Sequence, residues 1–118
     1  MAAKDVLGRR GEALAADFLV AGGRTVLDQN WRCEQGEIDL ILDDGGETVF
    51  VEVKTRSSLA YGHPLEAITV PKLARLRRLA AAWCAQQTRP HRRIRIDAVA
   101  VLLLPGEEPL FDHVERVF

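Results

Sequence analysis

The chain has 118 residues, 47% hydrophobic and 28% charged, which is long enough for one hydrophobic core and too short for two. These shares exclude a disordered or fibrous class and predict a single globular domain over 1–118. The formal net charge of −1 speaks against nucleic-acid binding by bulk charge, because phosphate affinity comes from a local excess of Lys and Arg.

The distribution of charge points the other way. Residues 67–96 carry eight cations (Lys72, Arg75, Arg77, Arg78, Arg89, Arg92, Arg93 and Arg95) and no acid, leaving eight cations against all 17 acids elsewhere. One basic segment is thus set against an acidic remainder. Cys33 and Cys84 are far apart and lack the paired spacing of a zinc or redox motif. Charge at Lys4 and Asp5 comes too early for a secretory signal, and the apolar run 98–104 is too short for a bilayer. A cytoplasmic protein without a membrane partner is expected.

In chain order, residues 5–21 read as a helix with Leu7, Leu14 and Phe18 on one side and Gly11 and Ala15 allowing close packing. Gly22 and Gly23 stop it. Glu12 falls at the border of the apolar stripe, where a carboxylate can point toward a neighbouring sheet. Residues 24–31 alternate weakly and predict a first strand, with a loop over 32–36. Period two is clear next: Ile38, Leu40 and Leu42 alternate with Glu37, Asp39 and Ile41, then Val49, Val51 and Val53 with Phe50, Glu52 and Lys54.

Residues 55–70 contain Ser57, Ser58, Gly62 and Pro64 and predict a mobile connection, either a functional loop or one with a helical turn around 65–68. Thr69 and Pro71 mark the start of a second helix reaching about residue 87, with Leu73, Leu76, Leu79, Ala80 and Trp83 buried. Its first turns hold Lys72, Arg75 and Arg78, at the end where the helix dipole disfavours cations by about a few tenths of a kcal/mol. Phosphate binding is one reason to keep them there; a solvated helix face is the other. A basic loop (88–93), a central strand (94–104), a turn (105–109) and an edge strand (110–117) complete the chain. The order predicts a mixed five-stranded α/β sheet flanked by helices, with a right-handed parallel crossover from the third strand to the fourth.

A hairpin turn at Gly45 and Gly46 pairs Leu42 with Val49, Leu40 with Val51 and Asp39 with Glu52. The apolar residues then share a core face, and the two acids share the other with Lys54. Opposed carboxylates with Cβ atoms about 5 Å apart repel. A hard cation such as Mg²⁺ would remove that repulsion, since it takes one or two carboxylates, keeps waters and binds a substrate phosphate. Such a centre could activate water and stabilise charge on a phosphodiester. Lys54, as an ammonium, would orient the water or neutralise developing charge, and Glu12 would add a ligand from the helix.

The pattern of Asp39 followed by Glu52-Val53-Lys54 on the next strand, with a glutamate on a preceding helix, resembles the PD-(D/E)XK nuclease superfamily, which has the restriction-endonuclease-like fold and includes Holliday-junction resolvases. Gly11-Glu12-Ala13, Asn30-Trp31-Arg32, Gly36-Glu37-Ile38-Asp39-Leu40-Ile41, Val49-Phe50-Val51-Glu52-Val53-Lys54-Thr55-Arg56 and Phe118 resemble, more closely and over nearly the whole chain, the YraN-like bacterial family. The resemblance implies an αβββαβ core with Asp39, Glu52 and Lys54 as the matched catalytic positions and Glu12 as the helix acid. Asp39, Glu52 and Glu12 would hold Mg²⁺ or Mn²⁺, and Arg56, Lys72, Arg75 and Arg78 would hold DNA. Ile38 stands where the superfamily pattern has proline.

The function expected is a metal-dependent DNA endonuclease, acting on branched or single-stranded DNA. Its competitor is a non-catalytic nucleic-acid-binding or partner-recruiting module on the same fold, in which Glu37, Asp39, Glu52 and Lys54 form only a solvated sheet surface. A two-fold symmetric junction as substrate would need two sites, hence a homodimer. Asp97, on the side of Val99 and Val101, reads as a buried structural acid. His63 reads as a loop residue, Trp31 and Trp83 as core, and Tyr61 as a residue that could stack on a base.

Overall fold

The computed structural model describes residues 3–60, 62–91 and 93–117, with side chains from residue 5 onward. Tyr61, Arg92 and Phe118 lie outside the described residues. In order, the elements are α1 (Ala3–Ala21), β1 (Thr25–Cys33), β2 (Gly36–Asp44), β3 (Glu47–Arg56), a 3-10 turn (Pro64–Ala67), α2 (Val70–Ala85), β4 (Ile94–Leu102) and β5 (Leu110–Val114). The sheet runs β1-β2-β3-β4-β5. Only β3 and β4 are parallel, so the five-stranded sheet is mixed, as the element order predicts.

Local chemistry explains most boundaries. Gly45 (φ 60°) and Gly46 (φ 93°) adopt the two positive φ angles that a two-residue hairpin turn demands, and the register is the expected one: Leu42 faces Val49 and Leu40 faces Val51. Thr69 caps α2, its Oγ1 accepting from Lys72 N at 3.4 Å, with Pro71 in the first turn. The helix ends at Ala85, two residues earlier than expected. The 3-10 turn forms within the long connection, where His63 Nδ1 caps it by accepting from Leu65 N at 3.2 Å. β1 extends to Cys33, two residues into the expected loop, and Trp31 and Cys33 pack toward α2.

Apolar side chains fill both faces of the sheet. Leu40, Leu42, Val49, Val51, Val53, Val99 and Val101 pack with Ala15, Ala16 and Leu19 of α1. Ile38, Ile41, Phe50 and Ile96 pack with Leu76, Leu79, Ala80 and Trp83 of α2. This corrects the expectation of one core face and one polar face for the hairpin: Phe50 and Ile41 are as buried as the valines opposite. It also shifts the inner stripe of α1 to the small residues around Gly11, while Phe18 sits at the rim, stacked on Phe111 at 4.5 Å. Leu19 is fully buried beside them.

β4 is central and apolar on both faces except at Arg95 and Asp97. Arg95 Nε donates to Asp97 Oδ1 at 2.9 Å, its Nη1 to Glu47 Oε1 at 3.1 Å and its Nη2 to Asp44 Oδ2 at 2.7 Å. Asp97 also meets His113 Nε2 at 2.8 Å and accepts from Arg116 N at 3.1 Å. It is therefore the buried structural acid anticipated. Arg95, counted in the basic segment, is withdrawn from any phosphate track, with its side chain 5% exposed.

Candidate active site

The site is built where the sheet loses its regularity. The β2–β3 ladder stops at Leu40 and Val51, so Asp39 and Glu52 are not a ladder pair as the register arithmetic had them. Asp39 Oδ2 instead accepts from Val53 N at 2.8 Å, a donor that a regular sheet would give to a backbone carbonyl. On the other side, β1 pairs Gln29 with Leu40 and Trp31 with Ile38, skipping Asn30 and Asp39. Ile38 belongs to the α2 face, whereas Leu40 and Leu42 belong to the α1 face. The alternation of β2 therefore slips at Asp39, which turns polar side chains toward α1 without exposing the hairpin's apolar residues.

Helix α1 supplies the acid from above. Gly11 packs so tightly on Thr55 of β3 that a Cβ there would collide with the threonine side chain. That close approach seats the half-buried Glu12 over the slip. Oxygens of Glu12, Glu37 and Asp39 all lie within 4.8 Å of one another. Glu52 is outside this trio, yet its charge acts on both Asp39 and Glu12. Lys54 Nζ lies 3.5 Å from Glu52 Oε1, and Arg32 Nε lies 3.1 Å from Glu37 Oε2.

Burial, then the charge of Glu52, push the Asp39 carboxyl up to about 8 against the opposing hydrogen bond from Val53. Burial likewise raises Glu12, with Glu37 adding to it and a hydrogen bond to Asp39 working against it. The protein gives this cluster less positive charge than it needs near neutral pH. Its donors are all carboxylate oxygens, which suits a hard divalent cation better than zinc.

Two clefts open on the cluster and share Glu12. One, of about 350 Å³, is lined by Asp5, Gly8, Arg9, Asn30, Arg32 and Glu37 as well. The other, of about 620 Å³, runs past Lys54, Thr55, Arg56 and Ser57. Arg56 is half-buried, its Nη1 donating to Thr55 O at 3.2 Å. Lys72, Arg75 and Arg78 are exposed on α2, which packs on the sheet face opposite α1. Lys72 Nζ donates to Ala67 O at 2.9 Å. The structure thus puts Glu12, Lys54 and Arg56 on the clefts, keeps Asp39 and Glu52 next to them through Glu12 and Lys54, and holds the α2 cations apart.

Sequence reasoning left Glu37 outside the metal-ligand set and overlooked Arg9, Arg32 and Asn30. The signal for Asn30, Arg32 and Glu37 lay in the motifs around Asn30 and Glu37, but nothing local says that they line a cleft with Arg9 and Glu12 of α1. A second group of possible ligands, Asp97, His113 and Glu115, is already engaged by Arg95, which contacts both acids. His91 Nδ1 lies 2.7 Å from Thr48 Oγ1, and its ring stands edge-on to Trp83. Among the described residues no helix is long and apolar enough to cross a membrane.

Comparison with known proteins agrees with the motif resemblance. The family described as "Uncharacterised protein family UPF0102" matches residues 11–101. The chain is similar to a UPF0102 protein of Arthrobacter sp. (strain FB24), 53% identical over 117 residues that cover 99% of each chain. It is also similar to one of Nocardia farcinica, 50% identical over 98% of this chain and 91% of the relative. A third, from Clavibacter michiganensis subsp. michiganensis, is 54% identical over 92% of each.

Proposed function

The chain belongs to the UPF0102 family, the YraN-like family its motifs resemble, and from the geometry of its acidic cluster we propose a metal-dependent DNA endonuclease on a restriction-endonuclease-like fold. One observation carries the proposal. The Asp39 carboxylate lies in a break between β2 and β3, in the field of Glu12, Glu37 and Glu52, with the Lys54 ammonium 3.5 Å from Glu52. A solvated sheet surface has no need to bury a carboxylate among three others.

Glu12, Glu37 and Asp39 would hold Mg²⁺ or Mn²⁺, with Glu52 alongside. The cation would polarise a phosphoryl oxygen and lower the pKa of a water. In hydrolysis the water oxygen bonds to phosphorus, the bond from phosphorus to one sugar oxygen breaks, and that oxygen takes a proton. Glu52 would accept the attacking water's proton. Lys54 would donate toward the phosphoryl or leaving oxygen, and Arg56, Arg9 and Arg32 would hold the flanking phosphates along the clefts. The activity would act on cytoplasmic DNA, branched or single-stranded; cutting a two-fold symmetric junction would take two copies of the site and hence a homodimer.

The test is a cleavage panel on linear, single-stranded, flapped and four-way-junction DNA with and without Mg²⁺ or Mn²⁺. Wild-type cleavage should require metal, and Glu52→Ala and Lys54→Ala should abolish it. Cleavage that survives both substitutions would sink the assignment. DNA binding without cleavage or metal uptake would favour the non-catalytic module.

A further inference from the structure

Asn30 belongs to a motif that the proposed chemistry leaves without a role. It sits on β1 with φ 51°, a left-handed backbone that residues other than glycine seldom adopt inside a strand. The β1–β2 ladder carries no pair between Asn30 and Asp39, which stand opposite each other between Gln29↔Leu40 and Trp31↔Ile38. Its side chain reaches the cleft beneath α1, and with the amide turned so that its nitrogen faces the acids it donates to Glu12 Oε2 at 3.1 Å and to Glu37 Oε1 at 3.0 Å. The reverse orientation would set an amide oxygen, an acceptor, against the acceptor oxygens of two acids. The nitrogen must therefore face them, and its two hydrogens suffice for one bond to each.

We propose that Asn30 is a positioning residue: its amide bridges Glu12 of α1 to Glu37 of β2 and sets the spacing of the two carboxylates for a divalent cation. This rests on the metal-binding reading given above. Two carboxylates at this distance repel, and neither belongs to the other's element, so without a shared donor they would swing apart. The left-handed backbone at Asn30 aims the amide into the cleft between them. Hydrogen-bond partners that orient metal ligands commonly change metal affinity by about 10- to 100-fold when removed.

Glycine tolerates the backbone of position 30 and lacks the amide, so Asn30→Gly separates the side chain's role from the strand's conformation. Mn²⁺ affinity would be measured for both proteins by calorimetric titration, with circular dichroism and a cooperative melt confirming that the variant folds. The expected result is Mn²⁺ binding weakened about 10- to 100-fold in Asn30→Gly. Unchanged or tighter binding by the folded variant overturns the positioning role while leaving the metal reading intact. No Mn²⁺ uptake by the wild type overturns the metal reading, and the positioning role with it. A second measurement needs no metal: the side-chain amide protons of Asn30 in the metal-free protein should exchange with water more slowly than those of the exposed Gln35. Equally fast exchange would show that the bridge does not form, whatever binds there.

Discussion

Asp39 carries an electrostatic cost that makes its chemistry measurable. Its carboxyl is displaced upward to about 8, by burial first and by Glu52 next, so between the unfolded value near 4 and that point the native state holds a proton that the unfolded chain has released. The sign follows: stability of the metal-free protein falls as pH rises through this window, by up to about 1.4 kcal/mol per pH unit. Asp44, Glu47 and Asp97 are displaced downward by their hydrogen bonds, mainly to Arg95, Arg116 and His113, and their contributions are lost only at more acidic pH. We predict that thermal melts without metal fall from pH 6 to pH 8, and that Asp39→Asn flattens this dependence and raises stability at pH 8. Mg²⁺ should stabilise the wild type more at pH 8 than at pH 6 and leave Asp39→Asn unmoved. A wild-type melting profile flat across that range would remove the basis for a charge-starved site.

At the level of elements, two joints hold the site in shape. The first is the contact between α1 and β3, where Gly11 lies against Thr55 with no room for a Cβ. Gly11→Ala adds a methyl group to a packed interface and should cost about 1–3 kcal/mol by denaturant titration, against the usual gain in helix propensity from glycine to alanine. Removing the facing hydroxyl and methyl with Thr55→Ala should recover part of the loss, because the collision is chiefly with the threonine Oγ1. The second joint is Arg95, which ties β4 to the β2–β3 turn and, through Asp97, to the chain after β5. Arg95→Met leaves Asp97 buried without its cation and should cost about 3–5 kcal/mol, the scale for breaking a buried pair by removing one partner. A loss below about 1 kcal/mol, the scale of an exposed pair, would mean that solvent reaches this network.

Across the whole molecule, the segregation of charge along the chain becomes a separation in space. Lys72, Arg75 and Arg78 stand on α2 over one face of the sheet, while Arg9, Arg32 and Arg56 flank the clefts beneath α1. On the proposed function, a duplex or branch at the acidic cluster would meet the second group first. Alanine at Arg9, Arg32 and Arg56 should therefore weaken DNA binding and lower its salt dependence by about 0.9 in log–log slope for each phosphate that is no longer neutralised. Alanine at Lys72, Arg75 and Arg78 should have the smaller effect. Binding isotherms at several salt concentrations would decide, and a larger loss from the α2 set would move the nucleic-acid track to the other face.

Features governed by near neighbours were legible in the sequence: the order of elements, the Gly45-Gly46 hairpin register, the Thr69 cap, the central β4 with its buried Asp97, and the presence of Glu12 beside the sheet. Each follows from periodicity, turn chemistry or a cap, which a chain expresses within a few residues of itself. The tertiary structure decided what these rules cannot reach. The phase slip at Asp39 breaks the period-two pattern from which the Asp39–Glu52 pairing was inferred, and it coincides with the left-handed Asn30 across β1. Asn30 reaches Glu12, and Arg95 reaches Asp44 and Glu47, from elements far away in the chain, because α1 and the β2–β3 turn must dock before those contacts exist.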